Sequence, residues 1–204
     1  MQIQVHGGDI YSGAYRIDFS ANINPFGMPE SVKRAAIEGI CQSIHYPDVQ
    51  CRELRGKISR KEELPEEWIL CTNGAAELLF ALSQTLKPKK ALLTAPGFAE
   101  YEQALKATGC EISFYQCRKS RGFLLDKDYL DALTDEIDII FLCNPNNPTG
   151  LLIPEKLLKR ILEICLEKHI FVVLDECFME FVNERFQNTQ KAVSYTHLTL
   201  PTIA

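Results

Sequence analysis

The sequence predicts an α/β fold, a mostly parallel sheet with helices on both faces. Three observations predict it. Short runs that are apolar on consecutive residues, such as Ile170-Phe171-Val172-Val173-Leu174, suit strands buried on both faces. Stretches of helical periodicity separate those runs. Polar or glycine-bearing segments (Asn73-Gly74, Asn144 to Gly150, and Asp175) follow the runs at their carboxyl ends, where open parallel sheets bind ligands.

Taken in order, residues 18–25 read as an extended arm that turns over residues 25–27. Pro29 suits the first turn of a helix running to about Ser43. Tyr46-Pro47-Asp48 reads as a turn, and a charged helix follows near residues 52–61. Residues 68–72 read as a first strand, and Asn73-Gly74 opens a helix over 75–86. A second strand at 91–94 breaks at Pro96-Gly97 and is followed by a helix over 98–107. Residues 111–117 and 138–143 are the third and fourth strands. A helix near 155–168 carries Leu157, Leu158, Ile161, Leu162 and Cys165 on one face, and the fifth strand, 170–174, ends at Asp175-Glu176.

Composition narrows the function. Apolar content of 46% against 24% charged residues places the 204-residue chain among ordinary soluble globular proteins. A net charge of −5 and the lack of any dense Lys/Arg run argue against a nucleic-acid surface, so an anionic ligand must be held by local groups. The amino-terminal residues show no signal-peptide pattern, and no apolar run has the length of a membrane span. Eight cysteines, at 41, 51, 71, 110, 117, 143, 165 and 177, form no CxxC pair and no Cys/His cluster of zinc spacing. A reducing cytoplasm is the simplest setting, and no metal site is expected.

Several segments then occur in a telling order: His6-Gly7-Gly8, Asp18-Phe19-Ser20-Ala21-Asn22-Ile23-Asn24-Pro25, Tyr46-Pro47-Asp48, Asn73-Gly74-Ala75-Ala76-Glu77, Pro96-Gly97-Phe98-Ala99-Glu100-Tyr101, Asn144 to Gly150, and Asp175-Glu176-Cys177-Phe178. Together they resemble the threonine-phosphate decarboxylases, pyridoxal 5'-phosphate (PLP) enzymes of the aspartate-aminotransferase fold close to histidinol-phosphate aminotransferases. The resemblance runs from residue 6 to about 190 and covers about half of a full-length member.

It implies an incomplete PLP-binding large domain over 46–192, preceded by an arm and helix over 1–45 on the small-domain side. Asp175 would sit beside the pyridine nitrogen, where an opposite charge favours the protonated ring. Asn147 would bond the ring oxygen, Phe98 would stack on the ring, and Gly74, Ala75 and Ala76 would cradle the phosphate at a helix start. Ala75 and Ala76 stand where the family often has polar side chains, which leaves backbone contacts only. His6 and Asn22 would contact the phosphate and polar end of a phosphorylated amino-acid substrate. Tyr46 would reach the partner subunit's cofactor phosphate, which implies a homodimer. Phe178 replaces a tyrosine of many aminotransferases, in keeping with the decarboxylase branch. Read without that context, Asp175 is equally a helix cap, Asn144 to Gly150 a turn, and His6 a solvated residue.

The resemblance also asks for a lysine that holds the cofactor covalently, in a Ser/Thr-Lys context well beyond the aspartate. The only lysine after Asp175 is Lys191, which follows Asn188-Thr189-Gln190 and lacks that context. The arginine for the substrate carboxylate is missing as well. Residues 193–202 back-translate to a sequence resembling a transposon-derived sequencing adapter, so 193–204 is expected to be a non-native tail. The chain is accordingly expected to fold poorly alone and to lack decarboxylase activity. The alternatives are a histidinol-phosphate or related aminotransferase, and a non-catalytic piece of the fold.

Overall fold

A computed structural model of the chain describes residues 7–9, 11, 13, 17–182 and, for the backbone, 197–199. The chain divides into two compact units, Met1–Cys71 and Thr72–Ala204.

In the first unit the arm turns where Asn24 takes two roles. Its carbonyl accepts from Gly27 N–H at 3.0 Å, its Oδ1 accepts from Phe26 N–H, and Gly27 takes the left-handed φ of +73° that the turn requires. Helix α1, Glu30–Gln42, starts directly after Pro29 and buries none of its residues. Asp48 prepares helix α2, Arg52–Glu62, by accepting from Gln50 N–H and Arg52 N–H and pairing with the Arg52 guanidinium. These bonds hold the Asp48 carboxyl below its usual range, the backbone bond from Arg52 contributing most. After α2 the chain folds back along it: Ser59 Oγ donates to Leu64 O at 2.6 Å, and Arg55 Nε to Glu66 O at 3.1 Å.

The expected strand over 68–72 is not formed. Glu66–Trp68 is a 3-10 turn, and the extended backbone from Ile69 pairs with no strand among the described residues. A strand exists only through its neighbour's ladder, and here Trp68 and Leu70 stay 57% and 67% exposed. Apolar composition alone therefore overcalled this element.

The second unit holds the sheet. Strands β1 (Lys90–Ala95), β2 (Glu111–Gln116), β3 (Ile139–Cys143), β4 (Phe171–Asp175) and β5 (His197–Thr199) are arranged β2-β1-β3-β4-β5, and every pairing is parallel. Strand β5 lies beside β4 with Val173 opposite Leu198, inside the stretch expected to be a tail.

Helices cover both faces, as the sequence predicts. Along each strand alternate residues point to opposite sides. Ala91, Leu93, Ile139, Phe141, Cys143 and Val173 meet α3 (Gly74–Leu86) and α4 (Ala99–Lys106) through Leu78, Leu79, Tyr101, Ala104 and Leu105. Leu92, Ile140, Leu142, Val172 and Leu174 meet α5 (Glu155–Glu167) and the 3-10 segment Lys127–Ala132 through Leu158, Ile161, Cys165 and Tyr129. Leu157 and Leu162 flank the buried stripe of α5, the face read from the sequence.

The core sets a pH response. Burial pushes the Cys165 thiol up to about 12, and burial together with the Asp175 carboxylate does the same to Cys143. Raised thiols contribute stability that is complete below the unfolded value and is lost as pH rises towards the folded one. From about pH 8.5 upward the unfolded chain releases these protons while the folded chain keeps them, costing ~1.4 kcal/mol per pH unit for each thiol. The urea midpoint should therefore fall steadily between about pH 9 and about pH 11. A Cys165→Ala variant should show a shallower fall, and an unchanged slope would contradict the assignment.

Candidate active site

The strand order reverses between β1 and β3. The connection from β1 leads to one side of the sheet and that from β3 to the other, which opens a crevice at the carboxyl ends. Three loops converge there: residues 96–98 after β1, 144–150 after β3, and 176–178 after β4.

Asp175 is the last residue of β4, directly opposite Cys143 in the register. It follows Leu174 and so returns to the face occupied by α3 and α4. Its side chain is 3% exposed. A buried carboxylate needs donors, and it has two: Tyr101 O–H donates to Oδ2 at 2.5 Å and Cys177 N–H to Oδ1 at 3.0 Å. Tyr101 reaches it from α4 across 74 residues of sequence. Burial first, and then the Asp175 charge, raise the Tyr101 hydroxyl far above its ordinary value, so it stays a donor. Cys143 packs alongside, its thiol donating to Pro145 O at 3.1 Å.

The 144–150 loop is held at both ends. Asn144 N–H donates to Asp175 O at 2.8 Å, and Asn144 Oδ1 accepts from Ile153 N–H at 2.8 Å. Gly150 N–H closes onto Asn146 O at 2.7 Å, with Gly150 at φ +70°. Asn146 Nδ2 donates to Thr149 Oγ1 and, across the crevice, to Pro96 O at 3.2 Å. Asn147 lies between these anchors, half-buried, its backbone N–H directed at the Cys143 sulfur.

Phe98 is half-buried at the start of α4 and meets Tyr101 edge-on, with centroids 5.4 Å apart. Gly74 begins α3 at φ +78°, Ala75 and Ala76 are half-buried, and no side chain caps this helix start. Glu77 accepts from Asn73 N–H at 2.6 Å, which shapes the entry to the helix. Leu78, one turn on, belongs to the same core as Tyr101 and Cys143.

The sheet edge thus brings Asp175, Asn147 and Phe98 together, with the α3 start in the same unit. Asn22 and Tyr46 lie in the first unit, both exposed. His6 falls outside the described residues, as does Lys191. Sequence reading missed the part played by Tyr101. Its spacing of three from Phe98 signals only that the two rings meet, and no local signal reports the bond to Asp175.

Two glycines are required here for different reasons. A Cβ on Gly97 would lie 2.5 Å from Thr94 O, a backbone atom, whereas a Cβ on Gly74 would meet open space. Gly74→Ala should cost about 1–2 kcal/mol through its left-handed backbone alone. Gly97→Ala should cost about 1–3 kcal/mol and displace the start of α4. Urea denaturation of both variants, with retention of wild-type stability by Gly97→Ala, would contradict the clash.

The aminotransferase class I and II family matches residues 15–202. The chain belongs to that family. Its members are pyridoxal-phosphate enzymes. The chain is 43% identical over 185 residues to the threonine-phosphate decarboxylase of Salmonella typhimurium, a match covering 87% of this chain and 51% of that protein. It is 30% identical to the adenosylcobalamin biosynthesis bifunctional protein CobDQ of Leptospira interrogans, over 89% of this chain and 22% of that protein. Among solved structures, the histidinol-phosphate aminotransferase from Clostridium acetobutylicum superposes with a TM-score of 0.75 at 31% identity, covering 88% of this chain and 53% of that one. The chain spans about half the length of the curated relatives it matches.

The aminotransferase-family residues fit the family's cofactor by their chemistry. A buried anion at the sheet edge suits a cationic ring nitrogen, and an uncapped helix start suits a phosphate. Among the described residues no helix is long and apolar enough to cross a membrane.

Proposed function

We propose that a longer protein carrying this chain decarboxylates L-threonine O-3-phosphate to aminopropanol phosphate with PLP, serving cobalamin biosynthesis in the cytoplasm as a homodimer, and that the 204 residues alone do not. The observation that carries this reading is the buried, doubly bonded Asp175 on a chain 43% identical to a threonine-phosphate decarboxylase. PLP, when bound, would supply an electron-accepting ring for the electron pair left at Cα when carbon dioxide departs.

The chain's own residues bind and orient. Asp175 holds the proton on the pyridine nitrogen, because a carboxylate in a water-poor site favours the adjacent cation. Asn147 would donate to the ring oxygen, and Phe98 would cover one face of the ring and keep water from it. Gly74, Ala75 and Ala76 offer backbone N–H groups to the phosphate. His6 and Asn22 would take the substrate's phosphate and polar end, and Tyr46 would take the cofactor phosphate of a partner subunit. Residues 1–192 supply this ring-holding half. Lys191 does not serve as the covalent anchor.

The test is an assay of the 204-residue chain, and of any longer product of the same reading frame, with PLP and L-threonine O-3-phosphate. The longer product should form aminopropanol phosphate, and the 204-residue chain should not. Catalytic product from the short chain would overturn the inactive half of the proposal. Borohydride reduction followed by mass spectrometry should leave no PLP on Lys191. The likeness to a histidinol-phosphate aminotransferase keeps transamination as the second reading. Glutamate formed from 2-oxoglutarate in the longer product would favour it.

A further inference from the structure

The geometry points to Tyr101 as a positioning residue that fixes the Asp175 carboxylate for a protonated heteroaromatic nitrogen. This rests on the cofactor reading above and deepens it. Tyr101 is 4% exposed, with its ring stacked on Phe141 at 5.2 Å and met edge-on by Phe98 at 5.4 Å. So clamped, the phenol ring holds its hydroxyl against Asp175 Oδ2 at 2.5 Å, with the Cys143 sulfur as its other neighbour. Cys177 N–H fixes the other oxygen from a different element. Two donors arriving from α4 and from the turn after β4 set the plane of the carboxylate. An ionised carboxylate has about four acceptor positions, so acceptor capacity remains on each oxygen.

That arrangement is prepared before any ligand arrives. A carboxylate already oriented pays no reorganisation when it meets a cation, which is the basis of electrostatic preorganisation. The Tyr101 hydroxyl remains protonated, held so by burial and by the neighbouring negative charge. Without it the carboxylate would rotate or draw in water, and either change weakens its hold on a ring N–H⁺. The outer partners of metal-ligating groups set the scale, with losses of about 10–100-fold on removal.

The experiment uses two probes that need no lysine. Pyridoxine 5'-phosphate carries an alcohol in place of the aldehyde and cannot attach covalently, and its 1-deaza analogue lacks only the ring nitrogen. Affinities of both are measured for the 204-residue chain and for Tyr101→Phe, which keeps the clamped ring and deletes the donor. Wild type should prefer the nitrogen-bearing probe, and Tyr101→Phe should lose ~10-fold or more of that preference while binding the deaza analogue unchanged. Equal losses for both probes, or no loss for either, would overturn the role of Tyr101 alone. Failure of wild type to bind either probe would overturn the cofactor reading and this inference with it. Should Tyr101→Phe not fold, 3,5-difluorotyrosine at position 101 keeps the shape and strengthens the donor. The preference must then shift from the wild-type value, and an unchanged preference overturns the proposal.

Discussion

Asp175→Asn is expected to abolish most of the affinity for pyridoxine 5'-phosphate while leaving the sheet assembled. Removing one charge of a desolvated ion pair costs about 2–5 kcal/mol, or roughly a 30-fold loss at the least. The amide keeps one acceptor oxygen where the carboxylate has two. Either Tyr101 O–H or Cys177 N–H then loses its partner, and stability should fall by about 1–3 kcal/mol as well. The two effects separate by probe, since the 1-deaza analogue should bind the variant and wild type alike. Wild-type affinity for pyridoxine 5'-phosphate in Asp175→Asn, read by fluorescence titration, would remove Asp175 from the site. A uniform drop for both probes would instead assign it a purely structural part.

Phe141→Ala is expected to be the most destabilising single truncation near the site. Phe141 is 1% exposed at the centre of β3, and it supports Tyr101 by ring stacking. Phenylalanine-to-alanine changes in such cores cost about 3–5 kcal/mol, a large share of the 5–15 kcal/mol that ordinarily holds a domain together. Phe141→Leu, which keeps most of the volume, should cost about 1.5 kcal/mol or less. Urea denaturation gives both values. A loss below about 1.5 kcal/mol for the alanine variant would mean that the strand relaxes to fill the space. With the Tyr101 ring no longer supported, affinity for the nitrogen-bearing probe should fall in the alanine variant and hold in the leucine one.

Much of this fold was legible in the chain because its signals are local. The runs that became β3 and β4 are apolar over nearly a strand's length, β1 carries an apolar centre, and the stripe of α5 repeats at helical spacing. Residues 68–72 carry the same composition yet form no strand, because a ladder depends on what lies alongside. The 3-10 segment Lys127–Ala132 went unread too. It depends on Asp126 accepting from Asp128 N–H, a single side-chain bond with no periodic signature. The candidate site divides in the same way. Asp175 and the 144–150 loop stood out through residue type and order, and the structure adds how each is held. Tyr101 lies inside a recognised segment, but its bond to Asp175 joins residues far apart in the chain, and no spacing rule reports such a bond.

The bond from Asn146 Nδ2 to Pro96 O ties together two loops separated by 50 residues. One loop delivers Phe98 and the other carries Asn147, so a shift in either is transmitted to both walls of the crevice. The placement of Phe98 and Asn147 at this edge is therefore a joint trait of the two loops. A change of width made through one calls for a matching change in the other, and the two segments are expected to vary in step as such proteins diverge.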